Sequence, residues 1–210
     1  LVHDDLPAMD DDSLRRGLPT SHVKYGEAVA ILAGDGLFAE AIRALSLVDA
    51  PPERVLDAVQ VLCSATGVEG MVGGQYVDVT ATGLNAEGLR HLHSLKTGRL
   101  IRASVEVAIA LEGPGGEERD RYLRFASELG ILFQIVDDIL DVTGSDEELG
   151  KSHGSDERLG KVTYVSLYGL DRARELAADS HAQALDALSG VDGETGDLKR
   201  VADYIYMREQ

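Results

Sequence analysis

The sequence predicts an all-α protein built as a helical bundle, and three observations carry that expectation. Gly130–Gly144 (GILFQIVDDILDVTG) has Ile131, Leu132, Phe133, Ile135, Val136, Ile139, Leu140 and Val142 on nearly every side of a helix, as a helix inside a bundle requires. The chain is rich in Ala, Leu and Val, with no Trp and only 5% aromatic residues, which suits packed helices. No stretch alternates polar and apolar residues for long enough to read as a strand. With 210 residues, 44% of them hydrophobic, the chain can bury roughly 70% of its unfolded surface around one core. No boundary is composed like a linker, so residues 1–210 read as a single domain.

Taken in order, Leu1–Met9 reads as the last turns of a helix disturbed by Pro7, which lacks an N–H and clashes with the preceding turn. The chain starts with Leu rather than Met, inside what reads as a helix end, so N-terminal helices are expected to precede it. Asp4 and Asp10 would be separated on a straight helix, and a bend at Pro7 is expected to bring them together. Asp10–Thr20 reads as a loop, with Gly17 and Pro19 as breakers. Glu27–Val48 is apolar and Ala-rich, and is expected to be a buried helix despite Gly34 and Gly36. Pro51-Pro52 ends it and starts the next helix, roughly Glu53–Val79. That helix holds Gly67, Gly70, Gly73 and Gly74, which weaken it unless something approaches closely there. Asn85 is placed to cap a helix with Leu89, Leu92, Leu95 and Leu100 on its apolar stripe. Gly113-Pro114-Gly115-Gly116 is a loop, and Glu117 to about Val142 is the long central helix. Gly144–Gly160 is a loop, Thr163–Leu188 and Leu198–Met207 are closing helices, and Gly190–Gly196 connects them.

The net charge of −17 makes the chain a poor nucleic-acid binder, since phosphate backbones demand clustered Lys and Arg. Cys63 is alone, so there is neither a disulfide framework nor a thiolate metal site, and a reducing cytoplasm is the expected location. Cys63 reads as a small buried apolar residue. No apolar run is expected to span a membrane.

Chemistry is concentrated in two acidic clusters. Within the central helix, Asp137 and Asp141 lie one turn apart on one face, with Asp138 beside them. Carboxylates inside an apolar helix repel each other and lose hydration, so something positive must meet them. Mg²⁺ prefers carboxylate oxygens and arrives with substrate phosphates that complete its shell. Taken alone, the pair is equally compatible with a solvated acidic stripe. A second cluster, HDDLPAMDDDSLRRG, opens the chain with Asp4, Asp5 and Asp10. Facing clusters on two helices could bridge a diphosphate through ions, with Arg15-Arg16, Lys151 and Lys161 clamping its remaining oxygens. Lys151 also reads as an ordinary surface cation, and Lys96 as one that snorkels from a helix. Gln75 and Asp78 are open between a surface role, a helix–helix hydrogen bond and function. His3 is expected to pack beside the first cluster rather than bind metal, because an all-oxygen cluster suits Mg²⁺. His22 follows the same loop and could reach a second diphosphate.

In these motifs the chain resembles the trans-isoprenyl diphosphate synthases, the polyprenyl synthetase family, along its whole length. HDDLPAMDDDSLRRGLPTSH is similar to the family's first aspartate-rich motif in its bacterial farnesyl/geranylgeranyl form, and FQIVDDILDVTG to the second. GGQYVD (residues 73–78), HSLKTGRLIRAS (93–104) and LGKSHGSDERLGKVTY (149–164) match further signatures. The resemblance implies the isoprenoid-synthase bundle around a central cavity. It also implies head-to-tail condensation of isopentenyl diphosphate with an allylic diphosphate, to a farnesyl or geranylgeranyl product. Three Mg²⁺ ions would be held by Asp4, Asp10 and Asp137, supported by Asp5, Asp138 and Asp141. Arg15, Lys96, Lys151 and Lys161 would neutralise the leaving diphosphate, and Arg16 would bind isopentenyl diphosphate. Backbone carbonyls around Lys96-Thr97 and the Gln134 side chain would stabilise the carbocation. A homodimer is implied, with Glu27–Val48 as an interface helix. A non-catalytic partner subunit is the main rival reading. A terpene cyclase is disfavoured because Asp137-Asp138-Ile139-Leu140-Asp141 repeats the synthase form.

Overall fold

The structure, a computed structural model, describes residues 1–144 and 162–208. It is helical almost throughout. A two-stranded hairpin, β1 (Leu14–Arg15) and β2 (Leu18–Pro19), lies near the start, followed by α1 (Ser21–Tyr25) and α2 (Glu27–Ser46). Next come α3 (Pro52–Thr66), α4 (Met71–Thr80), α5 (Ala86–His93), a π-helical turn (Ser94–Gly98) and α6 (Arg99–Glu112). The chain continues with α7 (Gly116–Thr143), α8 (Tyr164–Tyr168), α9 (Leu170–Leu188) and α10 (Gly196–Met207).

Helix α7 is the axis of the core. Phe125, Leu129, Leu132, Ile135, Val136 and Ile139 are buried along it, against Leu89, Tyr164, Leu188 and Ile205 from neighbouring helices. Its closest partner is α9, whose inward residues are Ala173, Ala177, Ser180, Ala184 and Ala187, all buried. Their four-three-four-three spacing forms a seam of small side chains, and the distance between packed helices is set by the side chains at the contact. Capping follows the sequence: the Asn85 side chain accepts from Gly88 N–H, and Pro52 occupies the first turn of α3.

Several expectations are corrected. Leu1–Met9 is a run of turns rather than a helix end, and the following loop closes into the short β1–β2 hairpin. Helix α2 forms as expected but is not buried. Ala30 is its one buried residue, while Val29, Ile31, Leu32, Leu37 and Phe38 face outward, because apolar composition states a need for cover and not which element provides it. The expected Glu53–Val79 helix is two helices, α3 and α4, because the chain turns between Thr66 and Met71. A Cβ at Gly70 would collide with the Ala65 carbonyl, so glycine permits that turn. Pro52–Thr80 has the length and apolar character of a membrane span by composition, but this turn divides it. Thr163–Leu188 is likewise broken at Gly169, whose φ of +81° ends α8. Leu100 is exposed because the π turn rotates α6 away from the α5 stripe. Cys63 is exposed on α3 rather than buried. Two cavities among the described residues, about 260 and 450 Å³, lie among α3, α6 and the first turns of α7, lined by residues such as Gln60, Val61 and Glu106.

Candidate active site

The first acidic segment is assembled from turns. Asp10 N–H donates to the Asp4 carbonyl at 3.0 Å, so the bend around Pro7 does return Asp10 to Asp4. Arg16 and Gly17 join β1 to β2 with φ of +54° and +75°, the two left-handed residues of a type I′ turn. This turn separates two adjacent arginines. Arg15 folds back on the acidic segment, while Arg16 is exposed at the tip. Arg15 donates through Nε to Asp5 Oδ1 at 2.7 Å, with a second nitrogen 2.5 Å from the same oxygen and 3.5 Å from Asp12. Asp5 is only 3% exposed. The hydrogen bond to Asp5, helped by the charges of Asp5, Asp12 and Asp4, holds the Arg15 pKa above its ordinary value against partial burial.

His3 packs on α2, beside the first cluster. Its Nε2 lies 2.8 Å from the Ile31 carbonyl, and a Cβ at Gly34 would overlap its ring, which explains glycine inside α2. His22 lies 3.2 Å from the Thr20 hydroxyl.

Separate hydrogen bonds, joined through α4 and the π turn, lead from this segment to α7. Asp4 Oδ1 accepts from Gln75 Nε2 at 2.6 Å. One turn along the same face of α4, Asp78 accepts from Lys96 Nζ at 2.6 Å. The π turn carries Lys96 and Thr97, and Thr97 Oγ1 donates to Gln134 Oε1 at 3.3 Å. Gln134 Nε2 donates to Asp138 Oδ1 at 2.8 Å, and Asp138 Oδ2 accepts from Tyr164 N–H at 2.7 Å. Two glycines allow this close stacking. A Cβ on Gly74 would collide with the Lys96 backbone nitrogen, and one on Gly130 would lie 3.1 Å from Gly98 Cα. Gln75 and Asp78 thus each hold a hydrogen bond from α4, one to the first acidic segment and one to the π turn.

On α7, Asp137 is half-buried, while Asp138 and Asp141 are 2% and 4% exposed. Lys151 and Lys161 lie outside the described residues. Among the described residues, no group of three or more His, Cys, Asp or Glu stands close enough to form a metal site from protein atoms alone. Mg²⁺ does not require one, since it keeps several waters and uses one or two carboxylates plus substrate phosphates. Asp4, Asp10 and Asp137 are each half-buried, and each carries carboxylate oxygens of the kind that Mg²⁺ takes.

Two participants are not individually legible in the sequence. Tyr164 starts α8 and stacks against His93 at 5.5 Å and Tyr168 at 6.2 Å. Burial, reinforced by Asp138, pushes the Tyr164 hydroxyl up to about 12. Among the described residues His93 Nδ1 is buried without a hydrogen-bond partner, and burial lowers the ring's pKa to about 4. His93 opens the HSLKTGRLIRAS stretch and Tyr164 closes LGKSHGSDERLGKVTY, which is the signal the sequence holds for them.

A helical bundle carrying two aspartate-rich segments linked through a lysine-bearing turn is the all-α isoprenoid-synthase fold. It superimposes on a geranyltransferase from Helicobacter pylori complexed with magnesium and isoprenyl diphosphate (TM-score 0.84, 34% identity, 97% of this chain and 68% of that one). It also superimposes on an FPP/GFPP synthase from Zymomonas mobilis (TM-score 0.85, 36% identity, 98% and 70%). The chain belongs to the polyprenyl synthetase family, whose model matches residues 1–205. It is 46% identical over 219 residues to the farnesyl diphosphate synthase of Escherichia coli K12, covering 100% of this chain and 73% of that protein. With the chloroplastic geranylgeranyl pyrophosphate synthase of Capsicum annuum it shares 45% identity over 215 residues, covering 100% and 58%. The chain thus spans part of the length of these relatives.

Proposed function

We propose that the protein is a Mg²⁺-dependent prenyltransferase that condenses isopentenyl diphosphate head-to-tail with an allylic diphosphate, giving farnesyl or geranylgeranyl diphosphate. The observation that carries this reading is the set of hydrogen bonds through which α4 and the π turn connect Asp4, Lys96, Gln134 and Asp138. Asp4, Asp10 and Asp137 are the residues that would hold the ions, three in number, with Asp5 and Asp141 behind them. Bound ions supply charge stabilisation to the diphosphate as its C–O bond breaks. Arg15 has N–H donors beyond those it gives to Asp5, and with Lys96, Lys151 and Lys161 it binds the departing diphosphate. Arg16, exposed at the hairpin tip, binds isopentenyl diphosphate. The carbonyls of Lys96-Thr97 and Gln134 Oε1 face the allylic cation, which the isopentenyl double bond attacks, and the proton leaves with pyrophosphate. The outward apolar residues of α2, Leu32 and Leu37 among them, support pairing with a second copy.

The test incubates the full-length protein with Mg²⁺, isopentenyl diphosphate and each allylic diphosphate in turn, and sizes the products by mass spectrometry. A farnesyl or geranylgeranyl product is expected. No elongation, with Mg²⁺-dependent diphosphate binding intact, would make the protein a non-catalytic partner subunit.

A further inference from the structure

We propose that Asp138 is a positioning residue that sets the direction of the Gln134 amide, in place of the ion-supporting role implied for it by the family resemblance. The proposal rests on the prenyltransferase reading for its consequence, and on geometry for its substance. Asp138 is 2% exposed, and the donors to its oxygens include Gln134 Nε2 at 2.8 Å and Tyr164 N–H at 2.7 Å. The Tyr164 donor is backbone and cannot be turned around. The Gln134 amide can be, because its oxygen and nitrogen ends have nearly the same shape. A carboxylate only accepts, so Gln134 must give it the NH₂ end. The carbonyl end is then forced toward the Lys96–Thr97 turn, where Thr97 Oγ1 donates to it. In that direction Gln134 offers the negative end of its dipole to a developing cation; reversed, it would offer N–H donors.

This arrangement predicts a specific exchange. In Asp138→Asn the one remaining acceptor is expected to stay with Tyr164 N–H, so the new amide donates toward Gln134. Gln134 must then flip, placing its NH₂ beside Thr97. Turnover is expected to fall roughly 100-fold, the size typical of losing one oriented electrostatic group, with KM for both diphosphates and the Mg²⁺ requirement little changed. Adding Gln134→Glu should restore much of the rate, because a carboxylate accepts from the introduced amide and still presents oxygen at the Thr97 end. Gln134→Glu alone sets two acids face to face and should stay impaired.

The readout independent of activity is side-chain NMR on protein labelled with ¹⁵N-glutamine. In Asp138→Asn the Gln134 NH₂ protons should gain a cross-peak to the Thr97 methyl group, and a thermal melt checks that the variant folds. A flip seen by NMR in a protein that makes no product would keep the positioning role and overturn the prenyltransferase reading. An unchanged Gln134 signal would overturn the positioning role. So would a raised Mg²⁺ requirement that Gln134→Glu does not repair, since that outcome makes Asp138 an ion ligand.

Discussion

The two acidic segments place similar residues on opposite kinds of backbone. The first is made of turns and a hairpin, with two non-glycine residues, Asp11 and Arg16, held at φ of +53° and +54°. The second sits in a 28-residue helix with the core on most sides of it. In both, the first aspartate of the pair is half-buried and the second is almost fully buried, Asp5 and Asp138 at 3% and 2% exposure. The backbone that carries the buried acid differs. Asp5 pairs with the Arg15 guanidinium inside a segment of turns, so an ion pair ties down chain that no packed helix holds. Asp138, whose contacts include the Gln134 amide and the Tyr164 N–H, stands on a helix that the core already holds in place.

The sharpest test of this comparison lies between neighbours on α7. Asp137→Ala is expected to reduce turnover by about three orders of magnitude or more, because removing an ion ligand removes transition-state stabilisation. The thermal midpoint should move little, since Asp137 is not among the packed core residues. Steady-state kinetics and calorimetry on the full-length protein check both halves, and a near-normal rate would remove Asp137 from the metal set.

In the first segment the larger penalty should instead fall on stability. Arg15→Leu strands Asp5 as a buried, unpaired charge, and breaking such a pair destabilises by about 3 kcal/mol or more. Denaturant unfolding measures this. An added Asp5→Asn should recover part of the loss, because it removes the stranded charge. If Arg15→Leu unfolds like the parent, the ion pair does not hold the segment and the contrast with α7 fails.

The contrast also explains what is legible in the sequence alone. Helix α7 is legible because its apolar residues surround the helix, and the Asn85 cap because a short acceptor side chain stands ahead of a leucine stripe. The return of Asp10 to Asp4 is legible from Pro7. The pairing of Arg15 with Asp5 is not: Arg15 and Arg16 are chemically equivalent in the sequence, and only the left-handed turn at Arg16-Gly17 sends them apart. Nor is the π turn, since one extra residue in a helical turn leaves no periodic trace. The glycines of the GGQYVD segment are visible as a demand for close approach, but the partner of Gly74, the Lys96 backbone, lies over twenty residues away. The exposure of α2 is hidden because apolar content does not identify what lies opposite it.

The smallest expected effect concerns acid, and it falls on the α7 side. His93 stacks on Tyr164, which hangs from Asp138, and its buried Nδ1 has no partner among the described residues. Burial lowers its pKa from 6.5 to about 4, with Lys96 acting in the same direction and Asp78 opposing. The unfolded chain therefore takes up the proton more readily than the folded one. Stability contributed by neutral His93 is fully present above pH 6.5, declines as the pH falls toward 4, and levels off below that. Between pH 6.5 and 5 the loss is about 1.5 kcal/mol. His93→Phe keeps a ring against Tyr164 and removes the titration, so its unfolding free energy should fall less steeply over this window than the parent's. Parallel slopes would mean that His93 takes up its proton in the folded protein as easily as in the unfolded chain.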